Sequence, residues 1–94
     1  MNESELARLE EVYRANAQSV LTGVGLLVRT LGKYKIYLPP DDTSITPHLA
    51  LDGYWEMWTT RWMLRNVKKG WRCIDVGANF GYFSLLLADL IGPT

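Results

Sequence analysis

The chain holds one cysteine and one histidine among its 94 residues. A single thiol excludes an internal disulfide framework, and no Cys/His spacing suits zinc. Net charge is missing as well, since ten acidic residues balance ten basic ones. That removes the electrostatic argument for nucleic acid or an anionic membrane as a partner. The densest basic group (Arg65, Lys68, Lys69, Arg72) is interrupted by Asn66, Val67, Gly70 and Trp71, as in a solvated helix end. Long hydrophobic runs are absent too. Thr22, Gly23 and Gly25 break the stretch from Val20 to Val28, which falls far short of the roughly 20 residues that span a bilayer. The polar start at Asn2, Glu3, Ser4 and Glu5 lacks the basic and apolar regions of a secretory signal. A cytoplasmic, reducing setting without membrane contact is the expectation.

What is present is an ordinary globular composition, 48% hydrophobic and 21% charged. A chain this short makes one small domain that buries roughly 60–65% of its unfolded surface. Asn2 and Glu5 can form a capping box, and Leu6, Leu9, Tyr13, Ala17 and Val20 recur at helical spacing. These predict an amphipathic helix over about residues 3–20. Leu26 to Thr30 and Tyr34 to Leu38 read as two strands around Leu31-Gly32-Lys33, a hairpin. Tyr34, Ile36 and Leu38 alternate with Lys35 and Tyr37, so one face of the hairpin is wet. Pro39-Pro40-Asp41-Asp42 breaks the chain. Thr46 before Pro47 starts a short helix that ends near Gly53. A longer helix follows from Tyr54 to Val67, closed by Lys68-Lys69-Gly70. Trp55, Trp58 and Trp62 lie three and four apart on it. The row suits a stacking surface or core packing, and packing is the expectation. Trp71 to Val76 is the next predicted strand and Phe80 to Ile91 the last helix.

Between those two elements lies the run Cys73-Ile74-Asp75-Val76-Gly77-Ala78-Asn79-Phe80-Gly81-Tyr82-Phe83-Ser84. A strand that ends in an acid and turns through glycines into a helix brings backbone close to a ligand. A P-loop requires Gly-Lys-Ser/Thr at the helix start, and none exists here. A dinucleotide loop requires Gly-x-Gly-x-x-Gly, but Asn79 and Tyr82 stand at its second and third glycine positions. The remaining ligand is a nucleoside carrying an amino-acid tail. Asp75 offers its charge to an ammonium, and Gly77 permits close approach or positive φ. Asn79 tolerates a left-handed backbone and can hydrogen-bond a carboxylate. Gly81 lets the helix begin tight against the sheet, with its free N–H groups toward a carboxylate. S-adenosylmethionine combines these groups.

The stretch CIDVGANFGYFSLLLADLIGP, with LDGYWEMWTTRWMLRNVKKGW before it, resembles the first motif of the FkbM family. Those proteins are class I, S-adenosylmethionine-dependent methyltransferases. The resemblance covers roughly residues 50–94 and implies an α/β, Rossmann-like fold with Trp71 to Val76 as its central strand. It implies an incomplete domain over 54–94, preceded by a helix, hairpin and short helix over 1–53. Asp75, Gly77, Asn79 and Gly81 match the family's cofactor loop; Phe80 and Tyr82 are its variable positions, one ring of which is expected to cover the cofactor. Glu56 falls where the family has an acid, with a site role and a surface role both open. Ser84 lies one turn on, where its hydroxyl can meet the cofactor or bond back to its own helix.

Cys73 reads as a small buried hydrophobe, and His48 has no partner acid or metal ligand nearby. The ribose acid, adenine pocket, substrate half and any general base of the family would lie beyond Thr94. The chain is therefore expected to be a fragment, inactive alone, with residues 71–94 marginally stable for want of partner strands. The implied activity is methyl transfer to a small metabolite or glycan. The alternative is a non-catalytic interaction module built from the first half of that fold. Neither reading specifies the catalytic residues or the oligomeric state.

Overall fold

Asn2 opens the first element by accepting the Glu5 N–H on Oδ1 at 2.8 Å, which satisfies one free donor of a helix start. In the computed structural model, which describes residues 1–93, helix α1 spans Glu3–Ala15. It stops five residues before the expected end. Asn16 bonds back to the Val12 carbonyl through both its N–H, at 3.1 Å, and its side-chain amide, at 2.9 Å. That competes with helix continuation. Val20 accordingly leaves the helical stripe and enters strand β1, Ser19–Thr22.

Strand β1 pairs antiparallel with β2, Gly25–Thr30, which pairs antiparallel with β3, Tyr34–Leu38. The order β1-β2-β3 is a simple meander. Leu31 and Gly32 turn the second hairpin, both at positive φ (54° and 75°), as hairpin turns whose twist matches the strands require. The register sets Val28 opposite Ile36 and Leu26 opposite Leu38. Val28 and Leu38 are buried, while Lys35 and Tyr37 on the other face are exposed.

Helix α2, Thr46–Asp52, packs on β2 and on α1. Its start is held by Asp42, whose Oδ2 accepts the N–H groups of Ile45 at 2.8 Å and Thr46 at 2.7 Å. These backbone donors hold the Asp42 carboxyl below the ordinary aspartate range. A lowered folded pKa contributes stability that is complete above about pH 4 and is lost as pH falls through the folded value. Asp42→Asn should therefore lower the unfolding temperature at pH 7 and differ less from the parent at pH 3. Thermal unfolding at the two pH values checks this; an equal gap at both would refute the anchor.

Helix α3 spans Met57–Asn66 and helix α4 spans Tyr82–Ile91, and the two pack together. Arg61 reaches from α3 to Glu3, at 2.8 Å, and to Glu10 on α1, while Arg65 also meets Glu3. On the far side, Asp89 of α4 accepts from Lys33 at 2.7 Å and from the Tyr34 hydroxyl at 2.5 Å. Burial works to raise the Asp89 carboxyl, but these two donors outweigh it and leave it lowered. One apolar cluster runs through Tyr13, Val28, Leu38, Leu49, Met63 and Leu86.

The structure is thus a mixed α/β domain of four helices and a three-stranded antiparallel sheet among the described residues. Four expectations are corrected. Residues 71–76 belong to no strand, because no described segment pairs with them and an isolated strand has no ladder to hold it. Cys73 lies exposed on that stretch, as do Ile74 and Val76, each 89% accessible. The tryptophan row packs on the core only through Trp55, which is half-buried against the apolar cluster. The buried residues of α3 are Thr60 and Met63, which turns Trp58 (84% accessible) and Trp62 (58%) outward. Finally, the helix expected from Tyr54 begins at Met57, and the one expected from Phe80 begins at Tyr82.

Candidate functional site

Two stretches far apart in sequence face each other across a cleft. One is the linker from α2 to α3, Gly53 to Glu56; the other is the loop before α4. Buried Thr60 joins them, its Oγ1 donating to the Trp55 carbonyl at 2.6 Å and lying 2.9 Å from the Tyr82 hydroxyl. Burial pushes the Tyr82 phenol above its ordinary range, so it stays neutral and serves as a tie. The Thr60 N–H also donates to the Glu56 carbonyl at 2.9 Å.

That grip matters because Glu56 takes φ 46°, ψ 78°, a left-handed backbone at the N-terminus of α3. Such a conformation costs a non-glycine residue on the order of 1–3 kcal/mol and persists where neighbours enforce it. Hydropathy could not have flagged Thr60, since a buried threonine in this role looks like any surface threonine.

The cleft between linker and loop has a volume of about 340 Å³, near the low end of the ~300–1,000 Å³ typical of small-molecule sites. Trp55, Glu56, Asp75, Gly77, Asn79 and Phe80 line it, with Ile45, Tyr82 and Phe83 at its apolar end. Five of the six residues singled out in the sequence therefore meet at one place. Gly81 does not line it. Its φ of 87° makes the turn into α4, its N–H donating to the Ala78 carbonyl at 2.9 Å. A Cβ on Gly81 would meet nothing within 4 Å. Its expected close packing on a sheet is thus corrected to a need for positive φ.

Asn79 is left-handed at φ 53° and Gly77 has φ 69°, with open space where a Cβ would sit. Of the rings Phe80 and Tyr82, both line the cleft, but Phe80 is half-buried whereas Tyr82, 3% accessible, is fixed in the core. Trp55, Ile45 and Phe83 were not singled out as site residues. The row Trp55, Trp58, Trp62 drew Trp55 into a helix that it does not join.

Ser84 settles between neither of its two expected partners. Its hydroxyl donates to Asp75 Oδ2 at 2.8 Å, leaving Oδ1 without a donor among the described residues. Asp75 is thereby oriented from the first turn of α4, and that helix start carries no side-chain cap. With Glu56 opposite and no lysine or arginine in the lining, the cleft favours the positive part of a ligand and disfavours phosphates. Ser84→Ala should weaken a ligand held by Asp75 by about 1 kcal/mol, roughly fivefold, through the lost hydrogen bond. Titration calorimetry checks it, and Ser84→Thr should restore affinity.

Among the described residues no group of three or more His, Cys, Asp or Glu could hold a metal ion, and no helix is long and apolar enough to cross a membrane. Comparison with protein-family models, with curated proteins and with solved structures found no match to this chain.

Proposed function

We propose that this chain carries the S-adenosylmethionine-binding loop of a methyltransferase of the FkbM kind, acting on a small-molecule or glycan acceptor. The observation that carries the reading is the cleft that gathers Asp75, Gly77, Asn79, Phe80 and Glu56 around open space. The donor set fits the methionine end of that cofactor. Asp75 is oriented by Ser84 to accept an ammonium. The uncapped start of α4 offers N–H groups suited to a carboxylate. Glu56 adds a second negative charge across the cleft, matched to a sulfonium. Phe80 gives the cleft an apolar wall beside these polar groups.

When bound, the cofactor supplies an electrophilic methyl group. The chain's own contribution is positioning: it fixes the methionine end, and no residue here is assigned a proton transfer. Positioning of this kind accounts for a large part of the rate in bimolecular transfers. The Rossmann-like architecture of the family is likewise part of this proposal.

The test is a titration of the ¹⁵N-labelled chain with S-adenosylmethionine. Saturable shifts at the amides of residues 75–83 and at Glu56 are expected. Shifts confined to other parts of the chain, or none at millimolar ligand, would overturn the reading.

A further inference from the structure

The linker that forms one wall of the cleft has a second side. There His48, Asp52, Trp55, Glu56, Met57 and Trp58 line another depression, of about 380 Å³. Trp55 and Glu56 belong to both cavities, which are therefore neighbours. We propose that this second depression binds an organic cation, the ammonium group of an amine-bearing small molecule. The binding of a cation here does not rest on the cofactor reading of the neighbouring cleft.

Three observations argue for this ligand class. The first is charge. The lining has two carboxylates, Asp52 and Glu56, and neither lysine nor arginine. Arg14 sits behind it and is already engaged, with Asp52 at 3.4 Å and the Tyr54 hydroxyl at 2.8 Å. That leaves Glu56 as the unpaired charge, because no ion pair or hydrogen bond engages its carboxylate among the described residues.

The second is the ring set. Trp58 is 84% accessible, and the imidazole of His48 lies 5.2 Å from the Trp55 ring at 50°. Aromatic faces beside carboxylates attract ammonium groups through the ring quadrupole, tryptophan most strongly. Anionic ligands would be repelled by the same lining, and a neutral sugar would gain the ring contact but no charge attraction.

The third is the backbone. Glu56 is one of only three non-glycine residues at positive φ in the described chain. Thr60 grips the carbonyls on both sides of its peptide link, those of Trp55 and Glu56. Backbone strain held in place in this way clusters at ligand sites.

The test uses choline and its neutral isostere 3,3-dimethylbutan-1-ol, which share shape but not charge. Choline should shift the amides of His48, Asp52 and residues 55–58 and perturb tryptophan fluorescence. It should bind about two- to fivefold more tightly than the isostere, the range expected for a cation on an exposed tryptophan face. Trp58→Ala and Glu56→Gln should each weaken choline by about two- to fivefold. Trp58 is on the surface, so its variant should unfold at the parent temperature, which separates lost binding from lost folding. Equal affinity for the two isosteres, shifts located elsewhere, or an unchanged affinity in both variants would overturn the subsite. S-adenosylmethionine is titrated in a separate arm. Loop shifts with that ligand but no choline binding would sink the subsite alone, whereas choline binding without loop shifts would sink the cofactor reading.

Discussion

Gly53→Ala is expected to cost about 3 kcal/mol or more of stability, the sum of a left-handed alanine and an unrelieved clash. For a domain of this size that lowers the unfolding temperature by roughly 12 °C or more. Gly53 ends α2 at φ 74°, ψ 9°, donating its N–H to the Leu49 carbonyl at 3.0 Å. A Cβ there would lie 2.5 Å from the Tyr13 carbonyl oxygen, a backbone atom of α1 that cannot swing aside. Its own carbonyl accepts the Leu31 N–H at 2.7 Å and the Thr30 hydroxyl at 3.0 Å. One residue thus ties α1, α2 and the β2–β3 hairpin. Gly70→Ala is the control: its φ is 86° but nothing lies within 4 Å of the new methyl, so only the conformational cost of about 1–2 kcal/mol applies. Thermal unfolding that shows no larger loss for Gly53→Ala than for Gly70→Ala would contradict this account.

Asp75→Ala should weaken S-adenosylmethionine binding by about 1.5–3 kcal/mol, on the order of ten- to a hundredfold, the range for hydrogen bonds to a charged group. The side chain is half-buried, held by the Ser84 hydroxyl, and part of no ion pair among the described residues. Its removal therefore takes little from the fold, and the unfolding temperature should barely move. Gly77→Val should abolish binding by a different route. It forces a β-branched residue to φ 69° and puts methyl groups into space now open. Normal binding by both variants, measured by calorimetry, would refute the site.

The hairpin was legible because strand alternation is local: Tyr34, Ile36 and Leu38 sort from Lys35 and Tyr37 with no knowledge of the rest. The end of α2 at Gly53 was legible for the same reason, but the approach of Tyr13 to it was not. Strand β1 was hidden behind a helical stripe that included Val20, and only the Asn16 back-bond to Val12 ended it. The glycine loop was readable as a candidate site because its spacing excludes other loops. The far wall of the cleft, Trp55 and Ile45, depends on where α3 begins. That start is fixed by Thr60 and Tyr82 across 22 residues, an interaction invisible to periodicity.

The exposed Cys73 has one more consequence. It is the sole cysteine, it stands two positions before Asp75, and it borders the groove beside Trp62 and Trp71. A maleimide fluorophore would attach at this position alone, without any engineering of the chain. Its emission would then report ligand entry at the neighbouring loop in real time, with Trp62 and Trp71 as built-in energy-transfer donors.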